Sequence, residues 1–186
     1  MDSTKSLEGH FLVASPHLMD PNFARTVVLL IQHNEEGAMG IVLNRSLHKT
    51  IQQLWKEVHE GHCENQQHLN LGGPVSGPLV ALHTDAELGE MEIVPGLYFS
   101  VDKAHLEQLV QRQGQRLKMF IGHSGWGGGQ LENELSQGAW LTAPASLEDV
   151  FQEEQEIWRL VSRRIGRQFL VSMLNIKHVP DDPSSN

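Results

Sequence analysis

The sequence predicts an α+β fold in which helices pack on a mixed, mostly antiparallel sheet. Two observations carry the prediction. The apolar runs Thr26–Gln32 and Ala38–Leu43 are separated by a single turn, so they pair as a hairpin and not through a crossover. Helical patterns with their own start signals then recur between later strands, which places helices on the faces of that sheet. No repeat, linker or shift of composition divides the 186 residues. One domain is expected, with a core over about residues 9–176 and flexible polar tails at 1–8 and 180–186.

Taken in order, His10–Ala14 reads as a short strand. Pro16 and Pro21 then interrupt regular structure, because proline lacks an amide donor. Thr26–Gln32 is β-branched and continuously apolar, as in a strand covered on both faces. Asn34-Glu35-Glu36-Gly37 is a four-residue connection to Ala38–Leu43. Thr50 and Gln53 form a capping box, and Ile51, Leu54, Trp55 and Val58 recur at helical spacing. Leu69–Leu71, Leu79–Thr84 and Leu97–Val101 are strands, the first ending at the turn Gly72-Gly73-Pro74. Asp102 caps a helix over Lys103–Gln113.

Leu117–Gly122 reads as a core strand, Gly125–Gly129 as a turn and Gln130–Gln137 as a helix stopped by Gly138. Trp140–Ala143 returns as a strand. Ser146–Asp149 opens a further helix, and Ile157, Val161 and Ile165 mark the last one, with a final strand around Phe169–Leu174.

Composition narrows the function classes. The chain is 39% hydrophobic and 20% charged, as in ordinary globular domains. A single cysteine, Cys63, excludes an internal disulfide. Met1–Glu8 lacks the pattern of a signal peptide, and the longest apolar run, Val27–Ile31, falls far short of the ~20 residues that span a bilayer. The expectation is a cytoplasmic protein without membrane contact. The net charge of −9, from 23 acids against 14 bases, argues against direct nucleic-acid binding. The one basic stretch, Arg159, Arg163, Arg164 and Arg167 with Lys177, reads as a solvated helix face.

The motifs do not assemble into a catalytic set. Gly122-His123-Ser124-Gly125-Trp126 approaches the nucleophile elbow Gly-x-Ser-x-Gly, but Trp126 stands where the sharp turn requires glycine. His123 and Ser124 are strand neighbours and point to opposite faces. Gly125–Gln130 approaches a dinucleotide loop, yet Gln130 replaces the third glycine, and Glu132 and Glu134 in the next helix would repel phosphate. His59, His62, Cys63 and His68 lack a standard zinc spacing, and the histidines read as exposed. No metal and no cofactor are expected. Arg25, Asn44 and Arg45 flank the hairpin; an arginine suits a carboxylate or phosphate, or an internal pair with Glu132 or Glu134.

Several motifs in a fixed order resemble the AlgH/YqgE family of bacterial proteins. They are Asp20-Pro21-Asn22-Phe23-Ala24-Arg25-Thr26, His33-Asn34-x-x-Gly37-Ala38 with Val42-Leu43-Asn44-Arg45, Gly72-Gly73-Pro74-Val75, and Gly125-Trp126-x-x-Gly129-Gln130-Leu131-Glu132-x-Glu134-Leu135 before Gly138-Ala139-Trp140. The resemblance spans roughly residues 9–165. It implies a single α+β domain whose mixed sheet curls into a pseudo-barrel with helices packed around it. It also implies a role in transcriptional regulation, and it supplies no catalytic residues. His123 and Ser124 stand where the family more often has Tyr and Ala, and the acidic connection Thr84–Pro95 is distinctive.

The resulting expectation is a regulatory or interaction protein, not an enzyme, that acts through a protein partner. The alternative is a small-ligand-binding protein or enzyme. Its site would be drawn from Arg25, Asn44, Gly72, Gly73, Trp126, Gln130, Glu132 and Glu134, where glycine turns and polar groups concentrate.

Overall fold

A computed structural model describes residues 6–58 and 63–173. Its strands and helices run along the chain as β1 (His10–Ala14), β2 (Val27–Asn34), β3 (Gly37–Val42), β4 (Ser46–Thr50), α1 (Ile51–Val58), β5 (His68–Leu71), β6 (Val75–His83), β7 (Met91–Val94) and β8 (Leu97–Ser100). The remainder comprises α2 (Lys103–Gln111), β9 (Leu117–Gly127), α3 (Gln130–Ser136), β10 (Trp140–Pro144), α4 (Leu147–Val150) and α5 (Glu154–Met173). One ten-stranded sheet runs in the order β10-β1-β2-β3-β9-β6-β8-β7, with β4 and β5 branching from β9. Among the described residues all pairings are antiparallel except that of β5 with β9. The sheet curls so that Gly9, at the head of β1, lies against Ile93 and Val94 of β7.

Strand periodicity explains the core. Along β2, Val27, Leu29 and Ile31 enter one apolar cluster, while Val28 and Leu30 enter another on the opposite face. The first cluster fills the concave side with Phe11, Val13, Leu82 and Phe120 and is closed by Ile157 and Val161 of α5. The second holds Leu12, Trp126, Leu131 and Trp140 beneath α3. A third joins Ile51 and Trp55 of α1 and Leu106, Leu109 and Val110 of α2 to Leu117 and Met119 of β9. Each fully buried Leu, Ile or Phe contributes about 1.5–3 kcal/mol relative to exposure, so a two-sided apolar run such as β2 anchors the sheet.

The local signals operate as expected at several ends. Thr50 and Gln53 exchange hydrogen bonds, Gln53 N–H to Thr50 Oγ1 (3.2 Å) and Thr50 N–H to Gln53 Oε1 (2.9 Å). The Asp102 carboxylate accepts the amides of Ala104 and His105. Gly138, at φ 72°, ends α3, with its amide donating to Leu135 O and that of Ala139 to Glu134 O.

Other boundaries move. Asn34 pairs with Gly37, so the hairpin connection is two residues, not four, and the Asn34 side chain accepts the Glu36 amide to make it. β9 does not stop at Gly122; the strand runs on to Gly127, Ser124–Gly127 pairing with β3, and the turn shrinks to Gly128-Gly129. β6 starts at Val75, ahead of Leu79, across a register shift that contains Pro78. α2 ends at Gln111, two residues early, and Val58 faces outward at the end of α1. β4 and β7 arise in segments too short and polar to read as strands.

No strand forms at Phe169. Residues 169–173 extend α5 to 20 residues, because adding a residue to an existing helix costs far less than starting a new element. Phe169, Leu170 and Met173 consequently stay exposed. Leu174, together with His59 and His62, lies outside the described residues. No described helix is long and apolar enough to cross a membrane.

Candidate functional site

The glycine-rich unit at the end of β9 is built around one carboxylate. Trp126, on β9 opposite Ala38, and Trp140, at the head of β10, meet edge to face at 6.0 Å, and Phe23 closes on Trp140 at 5.4 Å. Both indole N–H groups donate to Oε2 of Glu134, at 2.9 Å and 2.8 Å. Gln130 donates to the other oxygen at 3.0 Å and accepts the Gly127 amide at 3.1 Å. Left-handed Gly129 (φ 75°) turns the chain so that α3 brings Gln130 and Glu134 over the two rings.

Glu132 leaves the same helix toward β2. Its Oε1 lies 2.7 Å from His33 Nε2, while the Leu7 amide donates to His33 Nδ1 at 2.9 Å. An amide pointing at Nδ1 requires that nitrogen to be unprotonated, so Nε2–H is the donor to Glu132. The backbone amide of Glu132 and the His33 hydrogen bond hold this carboxyl below the usual glutamate range. Neither glutamate pairs with Arg25. Gln130, Glu132 and Glu134 therefore tie α3, β2 and the tryptophans together.

Gly72 and Gly73 pack against β9. The Gly72 amide donates to Ile121 O, and its carbonyl accepts Val42 N–H and the Ser124 hydroxyl. A β-carbon at Gly73 would strike the backbone of His123. Ser124 is fully buried, and its hydroxyl proton is directed at Gly72 O at 3.3 Å.

Arg25 and Asn44 do come together. Among the described non-glycine residues Arg25 alone has positive φ, 57°. Such a conformation costs about 1–2 kcal/mol and is held by the two residues immediately after Leu43. Asn44 Oδ1 accepts the Val27 amide at 2.9 Å, Asn44 Nδ2 donates to Arg25 O at 2.9 Å, and Arg45 Nη2 donates to Ala24 O at 2.6 Å. With net hydrogen bonds worth about 1 kcal/mol each, this clamp offsets the strain. It displays the Arg25 guanidinium 6.0 Å from the ring centre of Trp158, whose N–H is anchored on Ala14 O.

These groups line a groove of about 500 Å³ between the sheet and the start of α5, with Arg45, Glu154 and Arg159. Arg159 is neutralised by Glu156. Arg25 and Arg45 have no carboxylate partner among the described residues. Trp126 borders a separate, smaller hollow at the hairpin tip, and Gly72 and Gly73 line neither. A second concavity of about 440 Å³ is lined by His68, Asn70, Arg116 and Lys118 and shares Glu154 with the first. Lys118 is half-buried, with one hydrogen bond, to Gln152 O at 3.0 Å. Burial pushes its ammonium below the ordinary lysine value, against the pull of Glu154 and Glu153.

Two further clusters went unread in the sequence. His83 is fully buried in β6; the Asp85 amide donates to its Nδ1, so Nε2–H donates to Ser100 Oγ at 2.9 Å. The Ser100 hydroxyl in turn donates to Leu88 O at 2.7 Å. With its proton committed to a carbonyl and the facing imidazole nitrogen a donor, Ser100 is not an activated nucleophile. Burial holds His83 below the normal histidine value. A histidine inside the apolar run Leu79–Thr84 was the available signal. Glu90, Asp102 and His105 place ligand-type atoms within 4.8 Å of one another. Glu90 already accepts the amides of Val101 and Asp102 and the His105 ring, and Asp102 caps α2, so this geometry is accounted for by helix capping.

A family profile described as AlgH-like matches residues 11–170. The chain is 37% identical over 185 residues to a UPF0301 protein of Chlorobaculum tepidum, covering 96% of this chain and 95% of that one. It is 37% identical over 167 residues to a UPF0301 protein of Myxococcus xanthus, covering 87% and 92%. Among solved structures it is similar to the AlgH protein from Pseudomonas aeruginosa, with a TM-score of 0.72 and 31% identity over 97% of this chain and 98% of that one. A protein from Corynebacterium diphtheriae matches with a TM-score of 0.69 and 29% identity, covering 88% and 90%.

Proposed function

The chain belongs to the AlgH-like family, and from that premise we propose that it is a binding protein, not a catalyst, that engages an anionic group through the groove at Arg25. One observation carries this reading. In a protein of net charge −9, Arg25 is held in a left-handed backbone conformation by Asn44 and Arg45, and its guanidinium faces the groove with no carboxylate partner among the described residues. Guanidinium groups recognise carboxylates in a bidentate manner, and Trp158 supplies an apolar wall beside the charge. A regulatory role would then be exerted through a partner protein. Direct contact with nucleic acid is disfavoured by the excess of acids.

Absence of catalysis is supported by how the polar groups are used. Ser100 and Ser124 donate to carbonyls, and Glu132 and Glu134 are engaged by His33 and the two tryptophans. The test is a nitrogen-resolved NMR titration with glutarate as a minimal dicarboxylate. Shifts are expected at the Arg25 and Arg45 side chains and the Trp158 indole, with roughly millimolar affinity, and they should vanish in Arg25→Ala. Shifts that ignore Arg25, or none at all, would refute the reading.

A further inference from the structure

The two concavities share Glu154 in their walls and together give a two-part trough beside the beginning of α5. Resting on the reading of Arg25 as an anion site, we infer that its occupant is an extended acidic peptide segment of a partner protein, with one carboxylate at Arg25 and Arg45 and another at Lys118.

Charge supports this occupant. The trough collects Arg25, Arg45, Arg116, Lys118 and Arg159 against Glu153, Glu154 and Glu156. It is thus net positive on a chain with 23 acids and 14 bases. At the junction Glu154 Oε2 accepts the Ser46 amide at 3.1 Å, a contact from α5 to β4 over which the peptide would lie. Lys118 has three donors and spends one on Gln152 O, so an arriving carboxylate finds an ammonium short of partners. Arg116 is braced by a bidentate pair with Glu148 and stacks on Phe151 at 5.4 Å, which stiffens the far wall.

Shape favours a chain over a small molecule. A drug-sized ligand is bound by being mostly enclosed, and both concavities lie open on the surface with polar linings. A peptide needs no enclosure, because it gains affinity from several separate contacts along its length. Nucleic acid would require a dense field of Lys and Arg.

The experiment is fluorescence anisotropy on the full chain with two labelled probes. One is a tetrapeptide with a single glutamate; the other is a dodecapeptide with glutamates near both ends. A glutamine-substituted dodecapeptide and a single-stranded oligonucleotide serve as competitors. The long peptide is expected to bind at least tenfold more tightly than the short one. Lys118→Gln should remove about that factor from the long peptide and leave the short one unchanged. A photo-crosslinker at the end of the long peptide should label residues 67–70, which reads the same contact without a variant. Equal affinity of the two peptides, no effect of Lys118→Gln, or labelling elsewhere overturns the peptide reading while leaving the Arg25 site standing. Preferential displacement by the oligonucleotide overturns it as well. Failure of the short peptide and of glutarate alike removes the anion site itself.

Discussion

Replacing Glu134 by alanine should unfasten the aromatic junction between α3, β9 and β10. Trp126 and Trp140 are 5% and 3% exposed, and both indole N–H groups end on the same oxygen of Glu134. A buried donor left without an acceptor costs about 1–3 kcal/mol, so two would cost roughly 2–6. Glu134 itself is only half-buried, and water entering its place recovers part of this. The expected loss is about 2–4 kcal/mol, from a total stability on the order of 5–15. For a chain of this length that corresponds to a fall in Tm of roughly 5–15 °C. Glu134→Gln should cost less, about 1–2 kcal/mol. One oxygen still accepts both indoles, but the new amide faces the Gln130 amide, which is fixed by the Gly127 N–H. Urea unfolding followed by tryptophan fluorescence measures both variants. In a Trp126→Phe background, which removes one donor, the cost of Glu134→Ala should shrink. If alanine costs less than about 0.5 kcal/mol, or glutamine costs as much as alanine, the carboxylate is not the fastener described.

Gly37→Ala should cost about 3 kcal/mol or more and lower the yield of folded protein measured by circular dichroism. Gly37 has φ 143°, and a β-carbon there would overlap the Trp126 carbonyl across the β3–β9 pair. Glu132→Gln should cost about 1–2 kcal/mol at neutral pH. The folded-state pKa of Glu132 lies below its ordinary 4.5, so its contribution is full above that value and is lost as pH falls through the depressed one. Urea midpoints of parent and variant should therefore converge in acid; a constant gap would show that the charge is irrelevant. Lys118→Met should raise stability at neutral pH by about 1 kcal/mol, since it removes a half-buried ammonium. The folded state disfavours that charge, so the penalty holds below the lowered pKa and fades as pH rises toward 10.5. Thermal melts at neutral pH and near that value test the trend.

Element types were legible where a local signal and a long pattern agreed. The β2 run, the Thr50 capping box, the Asp102 cap and the Gly138 stop each depend on neighbours in sequence, and each forms as read. Boundaries decided by distant partners were not legible. β9 runs through Gly125 and Trp126 because β3 offers hydrogen bonds there, and no glycine count reveals that offer. Phe169–Met173 looks strand-like by composition but has the rest of α5 to continue. For the candidate site, glycine turns and charged residues marked segments without distinguishing fasteners from free groups. Glu132 and Glu134 are consumed by His33 and the tryptophans, whereas Arg25 and Asn44 reach the same groove. Arg45 joins them locally through the Ala24 carbonyl, whereas Trp158 and Lys118 join only where α5 and the segment before it dock, which depends on the whole curled sheet.

β9 has neighbours on both sides from three separate parts of the chain: β6 along one edge, and β5 and then β3 along the other. During synthesis this makes a strand about two thirds of the way along the chain the gatekeeper of the first hairpin. The β2–β3 hairpin has a free edge until Gly127 has emerged, roughly 85 residues after Val42. At typical elongation rates of about 5–20 residues per second, the wait is roughly 4–17 s. Throughout it the apolar run Val27–Ile31 has neither α3 nor α5 to cover it. The nascent chain is thus a natural client for chaperones, and refolding should be paced by long-range closure at β9 and not by the local hairpin. Pulse-labelled hydrogen exchange should show β3 and β9 amides acquiring protection together; protection of β3 well ahead of β9 would show that the hairpin stands alone.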